Sequence, residues 1–258
     1  MQTADDKKKK RRLPHIEMTQ TNLKLYGCAT MLFYTISVSL IQQGLVHVGR
    51  YTSESFAAAL AANPELMMMS SWASLFQLIG GLAVPVFAFL LVEGFQNTRS
   101  YARYLLTMLL FAAISEAPYD LATTGRWVDW SSQNALFTLS LCLVMLYGLR
   151  LCARPGLAYR AAQACVVLAA AFWSVVLRCG FGLCTVLLVA VYYLFYERKG
   201  VRVMLGCAIS LMYVTGPISA YPLWSYGGEK GRRINKYWFY LFYPAHLLAL
   251  GLLAQAIA

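Results

Sequence analysis

Eight stretches of this chain run for close to twenty residues with almost no charge, at roughly 25–48, 72–94, 104–121, 134–152, 161–177, 180–197, 203–223 and 237–257. About 20 apolar residues rising 1.5 Å each cover the ~30 Å hydrocarbon core of a bilayer. A backbone in lipid has no water to bond, so each stretch is expected to be a helix that closes its own hydrogen bonds. With 59% hydrophobic and 13% charged residues in 258, the chain is too apolar for an ordinary soluble domain. The expected fold class is all-α: a polytopic helical membrane protein of about eight transmembrane helices, with residues 23–258 as one transmembrane domain. The segment "RCG" between the fifth and sixth stretches implies a tight hairpin there.

The net charge of +11 does not point to nucleic acid, because the basic residues form short clusters between apolar blocks rather than a groove interleaved with aromatics. The opening "DDKKKKRRLPHIE" is followed by an apolar block longer than a signal-peptide core. Residues 1–22 are therefore expected to be a disordered basic arm on the cytoplasmic side, before an uncleaved first span. The bias of Lys and Arg sets orientation. With the N-terminus inside, eight spans put Lys24, Arg99, Arg103, Arg150, Arg154 and Arg160 inside and place both termini in the cytoplasm. The same count leaves Arg50, Arg126 and Arg178 outside, together with Lys230, Arg232, Arg233 and Lys236 of "SYGGEKGRRINK". That last loop breaks the rule. Seven cysteines in or beside apolar segments, with no CxxC pair and no metal-like spacing to histidine, read as small buried hydrophobes, and no metal site is expected.

Polar residues inside apolar spans mark function or helix contacts. His246 is the clearest case: nine residues beyond Tyr237 carry it about 13 Å into the last span, near the midplane. As a general base it needs a partner that fixes its tautomer. Glu116 precedes Pro118, which removes a backbone donor and loosens the third span. Asp120, Arg126, Asp129, Gln133 and Asn134 follow within one short connection. Glu93, Asn97, Arg99 and Arg103 close the second span, which Pro85 interrupts. Glu93 and Glu116 fall near opposite faces and do not form a carboxylate pair. Met67, Met68 and Met69 read as the approach to the second span.

"LAVPVFAFLLVEGFQNTRSYARYLL", "FAAISEAPYDLA", "QNALFTLSL" and "KYWFYLFYPAHLL", in that order, resemble the TraX family over about Leu23 to Leu253. The resemblance implies an integral-membrane acyltransferase of the inner membrane using acetyl-CoA as donor. Its acceptor would be a pilin amino terminus, as in the conjugative pilin acetylase that names the family, or a cell-surface glycan. By position it implies roles for Glu93, Asn97, Asp120 and Gln133 in binding substrate, with Tyr240 and Tyr243 of the "YLFY" run. His246 would be the base, assisted by Glu116 and by Asn134 or a tyrosine donating to the oxyanion. Arg99, Arg103, Arg150 and Arg154 would hold the phosphates of the donor. The first span departs from the family: "MLFYTIS" stands where many members resemble "MxIDHIG", so no Asp-His pair is present there. The alternative is a channel, a transporter or an appendage-assembly scaffold without catalysis.

Overall fold

The computed structural model describes residues 18–232 and 234–258, so most of the expected basic arm, through residue 17, lies outside the described residues. Met18 to Asn22 already belong to the fold. The Met18 amide donates to Ser225 O at 3.1 Å and the Gln20 amide to Glu229 O at 2.8 Å. Thr19 caps the first helix by accepting from the Asn22 amide, which is why that helix starts before the first apolar residues.

Among the described residues all regular structure is helical. Helix α1 (Gln20–Thr35) runs on through a π-helical segment (Ile36–Leu45). Next come α2 (Ser53–Ala62), α3 (Pro64–Gly80) and α4 (Ala83–Gln96), with Met67 and Met68 in the first turns of α3. The chain continues with α5 (Tyr101–Thr124), α6 (Ala135–Leu151), α7 (Leu157–Val176) and α8 (Gly182–Leu194). It closes with α9 (Lys199–Ser210), α10 (Ala220–Trp224) and α11 (Lys236–Ile257). Five units are long and apolar enough to cross a membrane: Gln20–Leu45, Pro64–Gln96, Tyr101–Thr124, Leu157–Val176 and Tyr237–Ile257. Ala135–Leu151 and Gly182–Leu194 are shorter apolar helices beside them. α3 and α4 form one bent unit, broken at Gly80 to Leu82; Pro85 sits in the first turn of α4, where its missing N–H costs no bond.

Burial follows the logic of a bilayer. Leu106, Leu110 and Ile114 on α5 and Leu168, Phe172 and Val175 on α7 are exposed, a surface that only an apolar solvent tolerates. Inside, Val86, Phe89 and Val92 of α4 pack with Leu143 and Leu146 of α6 and Val186 and Leu188 of α8. The cysteines divide: Cys142 and Cys184 are buried as expected, Cys165 is exposed on α7, and the other four lie between.

The direction of the last helix differs from the sequence expectation. α11 runs parallel to α5: the Tyr240 ring stacks on Phe111 at 5.1 Å, and farther along the Gln255 amide donates to Gly125 O at 3.1 Å. It is also parallel to α1. The Thr21 hydroxyl lies 2.9 Å from Lys230 O and 2.8 Å from Arg232 O, while at the other end Gly44 packs on Ile257 and Ala254. The end of the chain therefore lies at the opposite end of the bundle from the start of α1.

The expected seventh span is what changes the parity. α9 enters from the end that holds Tyr196 and stops at Ser210, and the segment Gly216–Ser219 and α10 bring the chain back. On its return Lys199 Nζ donates to Tyr226 O at 3.0 Å, which joins the two arms of the excursion at the end where they began. Gly216 turns so closely under α9 that a Cβ would stand 2.8 Å from the Ser210 side chain. Pro217 and Pro222 keep the returning arm from continuing as a long helix. The loop carrying Lys230 and Arg232 thus joins Lys24, Arg99, Arg103 and Arg150 at one basic end, and Arg50, Arg126 and Arg178 remain at the other. The apparent exception to the charge bias disappears.

Candidate functional site

A cavity of about 560 Å³ opens among α1, α4, α5, α6 and α11. Lys24, Asn97, Arg99 and Arg103 line it at the basic end, and Tyr34, Thr35, Tyr119, Thr138 and Tyr243 line it in depth. Its wall on α5 extends from Arg103 to Thr123, a rise of about 30 Å at 1.5 Å per residue. Three cations, Lys24, Arg99 and Arg103, stand at the mouth; the interior is mostly apolar with hydroxyls set into it. Lys24 is a cavity residue that sequence reasoning had treated only as a topology signal. Its Nζ also stands 5.3 Å over the Phe239 ring.

His246 lies at mid-depth as expected, reached from the basic end rather than from the far end. Its Nδ1 is 2.7 Å from Phe242 O. A carbonyl only accepts, so Nδ1 carries the hydrogen and Nε2 presents its lone pair. Nε2 lies 3.2 Å from the Thr35 hydroxyl, at the junction where α1 widens into the π-helical segment. π-Helical turns are often found at functional sites. The imidazole is packed by the Phe242 ring at 4.7 Å and the Tyr243 ring at 5.7 Å, and is 7% exposed. It does not itself line the cavity; Thr35 and Tyr243 stand between.

Glu116 and Asn134 meet as a pair. The Asn134 side-chain amide donates to Glu116 Oε2, its backbone amide lies 3.4 Å from the same oxygen, and Nδ2 also donates to Ala112 O at 2.8 Å. Asn134 Oδ1 accepts from the Leu136 amide at 3.0 Å, capping α6. Both amide hydrogens are committed and the residue is fully buried, so Asn134 does not serve as an oxyanion donor. The adjoining residue connects this pair to the histidine: the Ala135 amide donates to the Tyr243 hydroxyl at 3.3 Å, which leaves the tyrosine's own hydrogen available to the cavity. Tyr243 is the better donor of the two that the sequence offered.

Other expected residues divide between cavity and scaffold. Asn97, Tyr240, Arg99 and Arg103 line the cavity. Arg150 and Arg154 do not; Arg154 lies over the Tyr159 ring at 5.9 Å and is exposed. Glu93 is likewise outside the cavity. Its carboxylate accepts from Tyr196 at 2.9 Å and Tyr226 at 3.4 Å, tying α4 to the turn after α8 and to the end of the returning arm. Burial first, and the Glu93 charge with it, push the Tyr196 phenol up to about 12. Asp120 accepts the Asp129 amide at 2.8 Å and so fastens the loop after α5. The Gln133 backbone pairs with Arg178 and Gly180, at 3.0 and 3.1 Å, in the tight α7–α8 hairpin. Arg126 pairs with Asp129 at 4.0 Å across the loop surface, not with Glu116. Donation from Ser131 holds the half-buried Asp129 carboxyl below its usual range. Asp120, Gln133 and Glu93, expected to bind substrate, do not line the cavity. Glu93 and Glu116 are apart, as their spacing implied.

The family model described as TraX protein matches residues 25–254. A curated relative, "Probable fimbrial assembly protein FimC, serogroup H1" of Dichelobacter nodosus, is 29% identical over 201 residues, covering 67% of this chain and 80% of that protein. No solved structure matches the chain.

Proposed function

The chain belongs to the TraX family, and from that premise we propose that this multi-pass membrane protein is an acyltransferase of the inner membrane that takes acetyl from acetyl-CoA. The observation that carries the reading is the cavity that joins three cations at the basic end to the wall behind which His246 sits. Lys24, Arg99 and Arg103 bind the phosphates of the donor by charge-assisted hydrogen bonds, and the apolar passage takes its thioester arm. The positive-inside bias makes that end cytoplasmic, where acetyl-CoA is made. His246 Nε2 takes the proton that the attacking group gives up, and the Tyr243 hydroxyl donates to the oxyanion. The acceptor is an amine or hydroxyl. The relative named for fimbrial assembly favours a pilin amino terminus over a surface glycan.

The test is incorporation of labelled acetate from acetyl-CoA into protein and polymer of membranes carrying the chain. His246→Ala, shown to remain folded, is expected to lose about 10²- to 10⁴-fold in rate. Equal incorporation by that variant removes the histidine from the reaction. The relative's name also favours a second reading, an assembly scaffold without catalysis. Loss of pili on deletion, with no acetate incorporated by membranes that contain the chain, would establish it instead.

A further inference from the structure

Threonines in these helices commonly return their hydroxyl to the carbonyl four residues back. Thr30 meets Tyr26 O at 3.0 Å, Thr107 meets Arg103 O at 2.8 Å and Thr185 meets Phe181 O at 2.8 Å. That is a helix-internal bond and implies no chemistry. Thr35 Oγ1 lies 3.2 Å from Met31 O as well, but it has a second acceptor at the same distance, the lone pair of His246 Nε2, and its single hydrogen can turn to either. The two residues come from α1 and α11, 211 positions apart in the chain. Thr35 lines the cavity and His246 does not.

We infer that Thr35 is the acyl-accepting nucleophile of the site, so that acetyl is held as a threonine ester between donor and acceptor. The inference rests on the acyl-transfer reading above. Three features of the pair suit that role. The hydroxyl and its base are within hydrogen-bond reach, the base is oriented by a third group, Phe242 O, and the threonine that carries the hydroxyl lines the cavity. An oxyanion donor, Tyr243, lines the same cavity and packs against the same imidazole. A base screened by the hydroxyl it touches acts most directly on that hydroxyl.

The chemistry closes in two halves. Thr35 Oγ1 attacks the thioester carbonyl and its proton passes to His246 Nε2. The tetrahedral oxyanion collapses, the C–S bond breaks, and the departing sulfur takes that proton, leaving the threonine ester and the free thiol of CoA. An amine or hydroxyl acceptor then attacks the ester carbonyl and gives its proton to Nε2. The C–O bond breaks and Oγ1 recovers the proton. No oxidant or reductant is needed.

A two-step route predicts a partial reaction that needs no acceptor: exchange of labelled CoA into acetyl-CoA, catalysed by the purified full chain in lipid nanodiscs. Wild type and Thr35→Ser are expected to exchange and to carry one acetyl group on the peptide containing residue 35. Thr35→Val, nearly the same shape, is expected to lose exchange by more than about 10²-fold while keeping its thermal stability in the nanodisc. Acetate incorporation into membranes by wild type without CoA exchange overturns the threonine ester and leaves acyl transfer standing, as does wild-type exchange by Thr35→Val. Failure of wild type both to exchange and to incorporate acetate removes the acyl-transfer reading itself, and the ester with it.

Discussion

Asn134 shows how burial decides a residue's role. Its amide hydrogens go to Glu116 and Ala112 O and its oxygen caps α6, so its contribution is to stability. Asn134→Leu removes the side-chain donors to Glu116 and to Ala112 O, leaving Glu116 only the long backbone bond, and is expected to cost about 1–3 kcal/mol. A lowered melting temperature of the detergent-solubilised protein measures it; an unchanged one contradicts the bonding described. Tyr243→Phe should behave in the reverse way. The ring packing survives, one bond from the Ala135 amide is lost, and acetyl transfer falls by about 10²- to 10³-fold if the hydroxyl serves the oxyanion. From the sequence Asn134 was expected at the oxyanion and its capping role was passed over, although an Asn directly before an apolar run is a helix-start signal. The contact of Thr35 with His246 was not legible, because periodicity carries no information about two side chains 211 residues apart.

At the level of helices, close packing sets the geometry of the site. Gly251 on α11 lies so near α5 that a Cβ would be 3.1 Å from the Ala122 amide nitrogen. Gly251→Leu is expected to force the helices apart at a cost of about 1–3 kcal/mol, with Gly251→Ala milder, and melting temperatures of the two variants give the order. Most helices were readable as apolar blocks, and the ends of α6 and α7 fell close to expectation. The segment 199–224 was not, because an excursion that turns back on the flank of the bundle, with Met204, Leu211 and Val214 exposed, is as apolar as one that crosses. Gly216, Pro217 and Pro222 were the local signal, since such residues stop a helix where a spanning one must continue. Glu93 is explained at this scale too: with Tyr196 and Tyr226 it fastens the excursion to α4, a contact only the folded excursion creates.

For the whole molecule, the parallel course of α1, α5 and α11 places the basic loops together and the two ends of the fold apart. Cysteines introduced at Lys230 and Ala258, in a chain with the exposed Cys165 replaced, should react with a membrane-impermeant maleimide from opposite faces of sealed vesicles. Reaction from the same face would restore the even number of crossings expected from the sequence. The helical membrane class and the mid-depth histidine were legible from composition and spacing alone. The side from which α11 enters was not, since one miscounted crossing inverts everything after it.

That geometry makes the central claim directional: an acyl donor enters at the end bearing Lys24, Arg99 and Arg103 and meets the hydroxyl-imidazole wall from there. The most direct measurement supplies labelled acetyl-CoA to one face at a time of sealed, orientation-sorted vesicles and follows acetate onto membrane components. Incorporation is expected only from the basic face, and is expected to fall when Arg99 and Arg103 are both changed to Ala. Equal incorporation from the opposite face, or full incorporation by the doubly substituted chain, would contradict it.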